Sequence, residues 1–597
     1  MAAERRLPLV AALVTLLALL ATTDERSFGL IQDGQQMLSF ATALARFGEA
    51  GISREVPTAI AREGGDAVSR YGLASSVVEV PAVLASRLLV AVRKGASTAP
   101  LFALTQILLL TLASFFTADA ARRLGAPPDV AVLAGVALAV STPLFAYAGA
   151  DFSEPLQAAV VAGFLDGVIV LGAGGSGAGW EVATGAAAGA AFLAKPFLVL
   201  LAAPLLLLVL RRRVLLGLLP LAALGAGFDL RRFGRLFGGY PGEGFTTPLA
   251  LGLVRSLLLP NKGLLLYAPI VLLVPLGIAR RRKADPRLAL FFSIAIALHV
   301  GAAAAWWAWD GETGWGPRLL LPALPLLVVL ATAALESSRA RAAAYALAAA
   351  GFLLNLLGVL VPFSGVYSIA ALVPFAALPS PLRLGVTPSW APPRVHARLL
   401  AERWKGGDVA SRLSGGALSD LDPPFVPVFP EPPREPGVLE FPNDPHVEEG
   451  EAVETVATPF AWPFWGRSWV APIPGGIDPY RVALRDQAVR ALEMGRHARA
   501  LDLSREIERT RGGLGPKDAA IGAEAALRLG RGDEARALLR KVSAPCHLWL
   551  LFVEVEAGGE AECFPLRERE GFRSNVAAAV REGTAVSAWG RRVRGGA

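Results

Sequence analysis

Apolar residues in this chain come in long runs, separated by short breaks that hold arginine, lysine, glycine or proline. The first run spans Leu7 to Ala21, behind Arg5 and Arg6. Further runs at about 99–118, 129–148, 155–173, 181–195, 196–210, 214–229, 263–279, 288–308, 317–335 and 342–362 predict ten more helices of membrane-spanning character, eleven in all. The first run is short and ends in small residues, as a signal peptide would. It is read here as a retained helix, and either reading leaves the next stretch outside. That stretch, about 23–98, opens on a different pattern. Met37, Leu38, Phe40, Ala41 and Leu44 recur at helical spacing, which predicts a short amphipathic helix along a bilayer surface with Asp33 at its foot.

Composition agrees with the pattern. Hydrophobic residues make up 54% of the chain and charged residues 18%, with a mean hydropathy of +0.48, too apolar for a water-soluble protein of 597 residues. The net charge of +8 does not point to nucleic acid, because the basic residues cluster at the ends of apolar runs. With the N-terminus inside, Arg122-Arg123, Arg211-Arg212-Arg213, Arg280-Arg281-Arg282-Lys283, and Arg339 with Arg341 all fall on inner breaks. Asp33, Asp151, Glu154, Glu243, Asp310 and Glu312 fall on outer ones. Arg231, Arg232 and Arg235 are discordant, sitting in an outer break: either they meet lipid phosphate or a helix boundary near 230 is misplaced. The expectation is an α-helical polytopic protein of the plasma (inner) membrane, with everything after about residue 363 extracytoplasmic.

That C-terminal region divides in two. Residues 366–478 are proline-rich and predict an irregular domain or linker. Residues 479–597 are mainly helical, with a self-similar pair, Gly495-Arg-His-Ala-Arg-Ala500 and Gly530-Arg-Gly-Asp-Glu-Ala535. The offset resembles tetratricopeptide helix pairs and would suit a protein partner; a small helical bundle is the plainer alternative. Cys546 and Cys563 are the two cysteines, and in an oxidising compartment they are expected to pair, a short loop worth about 3 kcal/mol. There is no zinc-type Cys/His cluster and no phosphate-binding GxxxxGK[ST] loop.

Candidate chemistry gathers on the outer breaks. They hold Asp33; Arg70-Tyr-Gly-Leu-Ala-Ser-Ser-Val-Val-Glu-Val-Pro81; Asp151-Phe-Ser-Glu154; Lys195-Pro196; Lys262; and Trp306-Trp-Ala-Trp-Asp-Gly-Glu-Thr-Gly-Trp-Gly-Pro-Arg318. Several have plain explanations. A lysine or arginine can reach the headgroups, and this is favoured for Lys262. Tryptophans often form an interfacial belt, and His299 inside a span reads as a hydrogen-bonded core residue. Together, though, acids, cations and tryptophans on one face describe a site for an anionic, lipid-borne substrate and a polar acceptor.

The order of these features over residues 1–365 resembles the GT-C superfamily of polyprenyl-phosphate-dependent membrane glycosyltransferases, such as protein O-mannosyltransferases and enzymes that add aminoarabinose to lipid A. The resemblance implies transfer of a sugar from a polyprenyl-phosphate donor to an extracytoplasmic glycan, lipid or protein acceptor. Asp33 matches the catalytic acid of the first outer loop, and Asp151 with Glu154 the second acidic motif, which would position the acceptor or a divalent ion. No ion is obligatory, since no full ligand set is visible. Lys195-Pro196 and the Trp-Gly-Pro-Arg318-Leu-Leu-Leu-Pro322 segment are similar to bacterial members, with Lys195 and Arg318 set to bind the donor phosphate. Trp309 and Trp315 are candidates to stack on the sugar. Many relatives carry two adjacent acids in the first loop, whereas Asp33 is followed by Gly34. Two other readings stay open: a transporter or flippase of polyprenyl-linked glycan, which would call for broken helices or an internal repeat, and a non-catalytic relative that scaffolds envelope assembly.

Overall fold

The computed structural model describes residues 6–23, 32–361, 391–404 and 478–541, apart from gaps at 55, 57–58, 62–66, 176, 237, 241–242, 312–313, 334 and 511–512. Cys546, Cys563, Glu312 and nearly all of the proline-rich region lie outside the described residues. In chain order the helices are α1 (Leu7–Thr22), α2 (Gln32–Phe47), α3 (Leu73–Val77), α4 (Val80–Val92), α5 (Ala99–Arg123), α6 (Pro128–Val140), α7 (Leu144–Tyr147), α8 (Glu154–Gly172) and α9 (Ala178–Ala194). They continue with α10 (Val199–Val209), α11 (Arg212–Phe233), α12 (Leu249–Leu258), α13 (Leu264–Tyr267), α14 (Val274–Ala284), α15 (Pro286–Ala305), α16 (Leu324–Thr332) and α17 (Ser338–Leu360). The rest are α18 (Pro392–Trp404), α19 (Pro479–Glu493), α20 (His497–Ile507), α21 (Pro516–Arg528) and α22 (Gly532–Arg540).

Each of the eleven apolar runs is helical, and the chain is a helical, polytopic membrane protein. Six helical stretches are long and apolar enough to cross a bilayer by length and composition, and shorter apolar helices accompany them. Several runs are shorter than the sequence predicted because proline resets them. Pro143 separates α6 from α7, Pro196 opens a 3-10 turn before α10, Pro269 does so before α14, and the 3-10 turn Arg318–Ala323 precedes α16. Proline lacks the amide that continues a helix, so each run breaks and restarts at its ring. Irregular backbone inside a bilayer survives only where protein covers it. The breaks carry Tyr147, Tyr267 and Arg318, all buried, and Lys195, half-buried.

The described residues form two compact units. The first takes residues 1–34, 71–78 and 99–477. Its core is built where α5, α6, α8 and α16 meet, around Leu110, Leu138, Leu165 and Leu327. On α1, Leu9, Leu13 and Leu17 are exposed one turn apart while Ala11, Thr15 and Leu19 are buried, a stripe suited to lipid. Helices α9 and α11 touch backbone to backbone: a Cβ at Gly185 would meet the Val214 carbonyl at 1.9 Å, and one at Gly217 the Val182 carbonyl at 2.0 Å. Small residues permit such approach between membrane helices, where no hydrophobic force drives association. At the basic ends, Arg122 and Arg123 pair with Asp119, Arg123 also with buried Asp166, and Arg211 with Glu181.

One of the discordant arginines, Arg232, resolves here. Helix α11 continues to Phe233, beyond the predicted end, and Arg232 is buried. It pairs with Asp229 at 2.8 Å, and its guanidinium lies 4.1 and 4.5 Å from the ring centres of Phe228 and Phe233. It is thus a structural cation, not a lipid contact.

The second unit takes residues 35–70, 79–98 and 478–597. Most of the first outer loop therefore folds with the tail helices. The two-residue strands β1 (Ile60–Ala61) and β2 (Ala67–Val68) pair antiparallel, Ile60 opposite Val68. Asp478 accepts from the Thr98 amide and hydroxyl at 2.8 Å, and Gln487 donates to the Ser39 carbonyl at 3.0 Å. Glu49 accepts from Arg490, Arg496 and Arg499 at 2.6–2.9 Å. Burial pushes its carboxyl up, but the three guanidinium hydrogen bonds outweigh this and hold it down at about 2. The apolar face of α2 is a correction. Met37, Leu38, Phe40 and Ala41 are buried, and so are Gln35, Gln36, Ser39 and Thr42 around them, so protein and not bilayer surrounds this helix.

The tail repeat is present as two helix hairpins, α19–α20 and α21–α22. Gly495 and Gly530 both turn at positive φ, where a side chain would be strained, and Ala500 and Ala535 are both fully buried. Hydrogen bonds cannot bridge a bilayer, so the tail helices and the first loop lie on one side of it. Leu73–Val92 is apolar enough to cross by composition, yet its flanks both fold into this unit: the Arg70 amide binds Gln36 and the Gly95 amide the Arg509 carbonyl. It does not cross.

Candidate functional site

The first unit brings five of the predicted residues, Asp33, Asp151, Glu154, Lys195 and Arg318, to one place. Arg318 opens the 3-10 turn before α16, immediately after the glycine-rich stretch Gly311–Gly316. Those glycines leave the room it needs: a Cβ at Gly311 would stand 2.5 Å from the Arg318 Cβ, and one at Gly314 2.5 Å from the Tyr147 hydroxyl. Arg318 Nε donates to Glu154 Oε1 at 2.7 Å, Nη2 donates to Asp33 Oδ2, and the guanidinium lies 4.2 Å from the centre of the Phe152 ring. Asp33 also accepts from the Tyr71 hydroxyl. Lys195, at the C-terminal end of α9, lies near enough to act electrostatically on Asp33.

Local structure explains each placement. Asp33 and Glu154 stand in the first turns of α2 and α8, where exposed amides favour a carboxylate. Tyr71 is fixed through its carbonyl, which accepts from Arg232 at 2.7 Å. Its neighbour Gly72 is pressed on the end of α9, where a Cβ would stand 2.2 Å from the Leu193 carbonyl. Burial pushes the Asp33 carboxyl up. The charge of Arg318, the hydrogen bonds from Tyr71 and Arg318, and Lys195 outweigh that and hold it below its ordinary value, so it is ionised.

Gly34 has a local reason. A Cβ there would stand 2.0 Å from the Asp151 Cβ, so a second adjacent acid has no room. Asp151 is buried against this position. Gly34→Ala is expected to cost about 1–3 kcal/mol of stability. By displacing Asp33 it should also lower turnover by up to about 10²-fold. Thermal unfolding and turnover measured together check this, and unchanged values for both would mean that α2 does not approach Asp151 this closely.

Other predicted residues stand elsewhere. Trp315 is a correction: it is fully buried, its indole N–H donates to Asn355 at 2.9 Å, and Tyr267 meets its ring edge-on. No face remains for a sugar. Trp309 is also buried, with Arg255 5.5 Å from its ring centre. Lys262 does not reach for headgroups. It is fully buried and donates to the Gly314 carbonyl, holding the loop that precedes Arg318. His299 is a buried core residue bonded to the Leu319 carbonyl at 3.0 Å. Sequence reasoning missed Tyr71 and Phe152 as site residues. The signal available was a phenol beside a glycine in the Arg70–Pro81 segment, and an aromatic between the two acids of Asp151–Glu154.

Among the described residues no group of three or more His, Cys, Asp or Glu side chains gathers to hold a metal ion. Glu154 gives one oxygen, Oε1, to Arg318. No family model matches the chain, and no curated protein does. Among solved structures, the chain is similar to the crystal structure of ArnT from Cupriavidus metallidurans bound to undecaprenyl phosphate, with 84% of this chain and 79% of that one covered, 16% identity and a TM-score of 0.40. Values of that size leave the chemistry to be read from this chain's own residues.

Proposed function

We propose that this protein is a membrane glycosyltransferase that moves a sugar from a polyprenyl-phosphate donor to an extracytoplasmic hydroxyl or amine. The observation that carries this reading is the buried cation Arg318, held between Asp33 and Glu154 where broken membrane helices meet, with Lys195 nearby. A phosphate-linked sugar brings its own leaving group. The protein must therefore offset charge on the departing phosphate and accept the acceptor's proton. Arg318 and Lys195 supply the first, in a low-dielectric site where fixed charges act strongly. Asp33 supplies the second. The acceptor's oxygen or nitrogen bonds to the anomeric carbon, the carbon–oxygen bond to phosphate breaks, the phosphate leaves with the electron pair, and the proton passes to Asp33. No step is routed through a metal ion. Asp151 lines the same region and is the remaining acid available to orient the acceptor.

Broken helices also suit a transporter of polyprenyl-linked glycan. The test separates the two. Purified protein in liposomes, given radiolabelled polyprenyl-phosphate sugars and an envelope extract as acceptor, is expected to release polyprenyl phosphate and label the acceptor. Movement of intact donor across the bilayer without release of polyprenyl phosphate would replace the transferase with the transporter.

A further inference from the structure

Two carboxylates share the Arg318 guanidinium, but they do not have equal access to it. The Glu154 side chain is 1% exposed and takes Nε from the buried side, in the first turn of α8. The Asp33 side chain is 14% exposed and takes Nη2, while Arg318 itself is 10% exposed. An anion entering the site therefore meets the Asp33 side of the guanidinium first. Glu154 stays out of its reach, and the Phe152 ring covers the guanidinium at 4.2 Å. The Tyr71 hydroxyl donates to Asp33, so Asp33 has a second partner to keep when the arginine is taken from it.

We propose that Asp33 is an internal occupant of the phosphate-binding arginine. In the unloaded protein its carboxylate fills the place on Arg318 that the donor phosphate takes. The arriving phosphate releases it toward the acceptor, while Glu154 keeps the guanidinium in position. This rests on the transferase reading above and adds an order of events to it. The proton acceptor is freed only once a donor is bound, so an acceptor alone meets a base already engaged. Glu154 is then a positioning residue that acts through Arg318, and not a contact for the acceptor as the sequence suggested.

The test is equilibrium binding of radiolabelled polyprenyl phosphate, without sugar, to the full-length protein in detergent. Binding to a state populated only in part is weakened by that fraction, so removing an occupant that holds the arginine for about 90–99% of the time tightens Kd by about 10- to 100-fold. Asp33→Asn is therefore expected to bind more tightly than the parent while transferring less sugar. Glu154→Gln is expected to bind more weakly, and Asp502→Asn, which removes an exposed carboxylate of the tail, to bind as the parent does. General damage to the site would weaken both site variants, so the opposed signs carry the test. If Asp33→Asn binds no more tightly, or Asp502→Asn tightens as much, Asp33 is not the occupant, and parental binding leaves the transferase reading standing. If Glu154→Gln binds as the parent does, the positioning role is lost. If the parent and all variants fail to bind polyprenyl phosphate, the inference and the function it rests on both fall.

Discussion

Asp33→Asn protein inserts normally and transfers sugar about 10²- to 10⁴-fold more slowly, the cost of removing a positioned proton acceptor. Asparagine keeps the size of the side chain and a carbonyl for the Tyr71 hydroxyl, so the loss is one of charge and basicity. The substitution does not strand a cation, because Arg318 retains Glu154 at 2.7 Å. That separates this variant from one that would simply unfold the site. The loss should fall on kcat, with donor affinity improved. Asp502→Asn removes a carboxylate that is 72% exposed in the tail and serves as the control. Parental turnover in normally inserted Asp33→Asn protein would exclude Asp33 as the base and leave Asp151 as the acid to test next.

The second large effect is one of stability. Asp518, on α21, is fully buried and accepts from Arg481 at 2.7 and 3.1 Å and from Arg485 at 2.6 and 3.2 Å. It also accepts the Gly515 amide at the helix start. Burial pushes its carboxyl up, but the two arginines outweigh this and lower it from 3.8 to about 2. Removing one partner of such a cluster leaves buried charge uncompensated, so Asp518→Ala is expected to cost the tail about 3–5 kcal/mol. The sign with pH follows from the lowered value. The stabilisation is complete above the ordinary carboxylate range and is lost as pH falls toward about 2. Limited proteolysis of the full-length protein should cut the tail of Asp518→Ala far sooner than that of the parent. Lys541→Ala, which removes an exposed partner of Glu508, should change little. Equal protection of Asp518→Ala and parent would mean that the cluster does not hold the hairpins together.

Much of the helical framework was legible because lipid imposes it. An apolar run long enough to span has few alternatives to a helix, and basic residues mark where it ends. The breaks were less legible, since the proline that ends one helix also opens the next, and only the folded backbone shows where the seam falls. The candidate acids and cations were legible by type and by order, while their pairing was not: Asp33 and Arg318 are 285 residues apart. The tryptophans misled for a physical reason. An indole ring suits a membrane interface and a protein core equally, and Trp315 became core because Asn355 satisfies its N–H. The tail repeat was readable because Gly495 and Gly530 answer a local need for a turn. The union of the first loop with that tail had no local signal at all.

That union bears on how the protein is made. Ser39 is synthesised 448 residues before the Gln487 that binds it. At about 5–20 residues per second, roughly 20–90 seconds of translation pass before the first loop meets its partner. Throughout that interval every later membrane helix is being threaded, while the loop waits with the buried face of α2 uncovered. A chain truncated before residue 478 would therefore leave the ribosome with its first loop unfinished. Chaperones that hold unfinished chains should associate with such truncations and release the full-length protein.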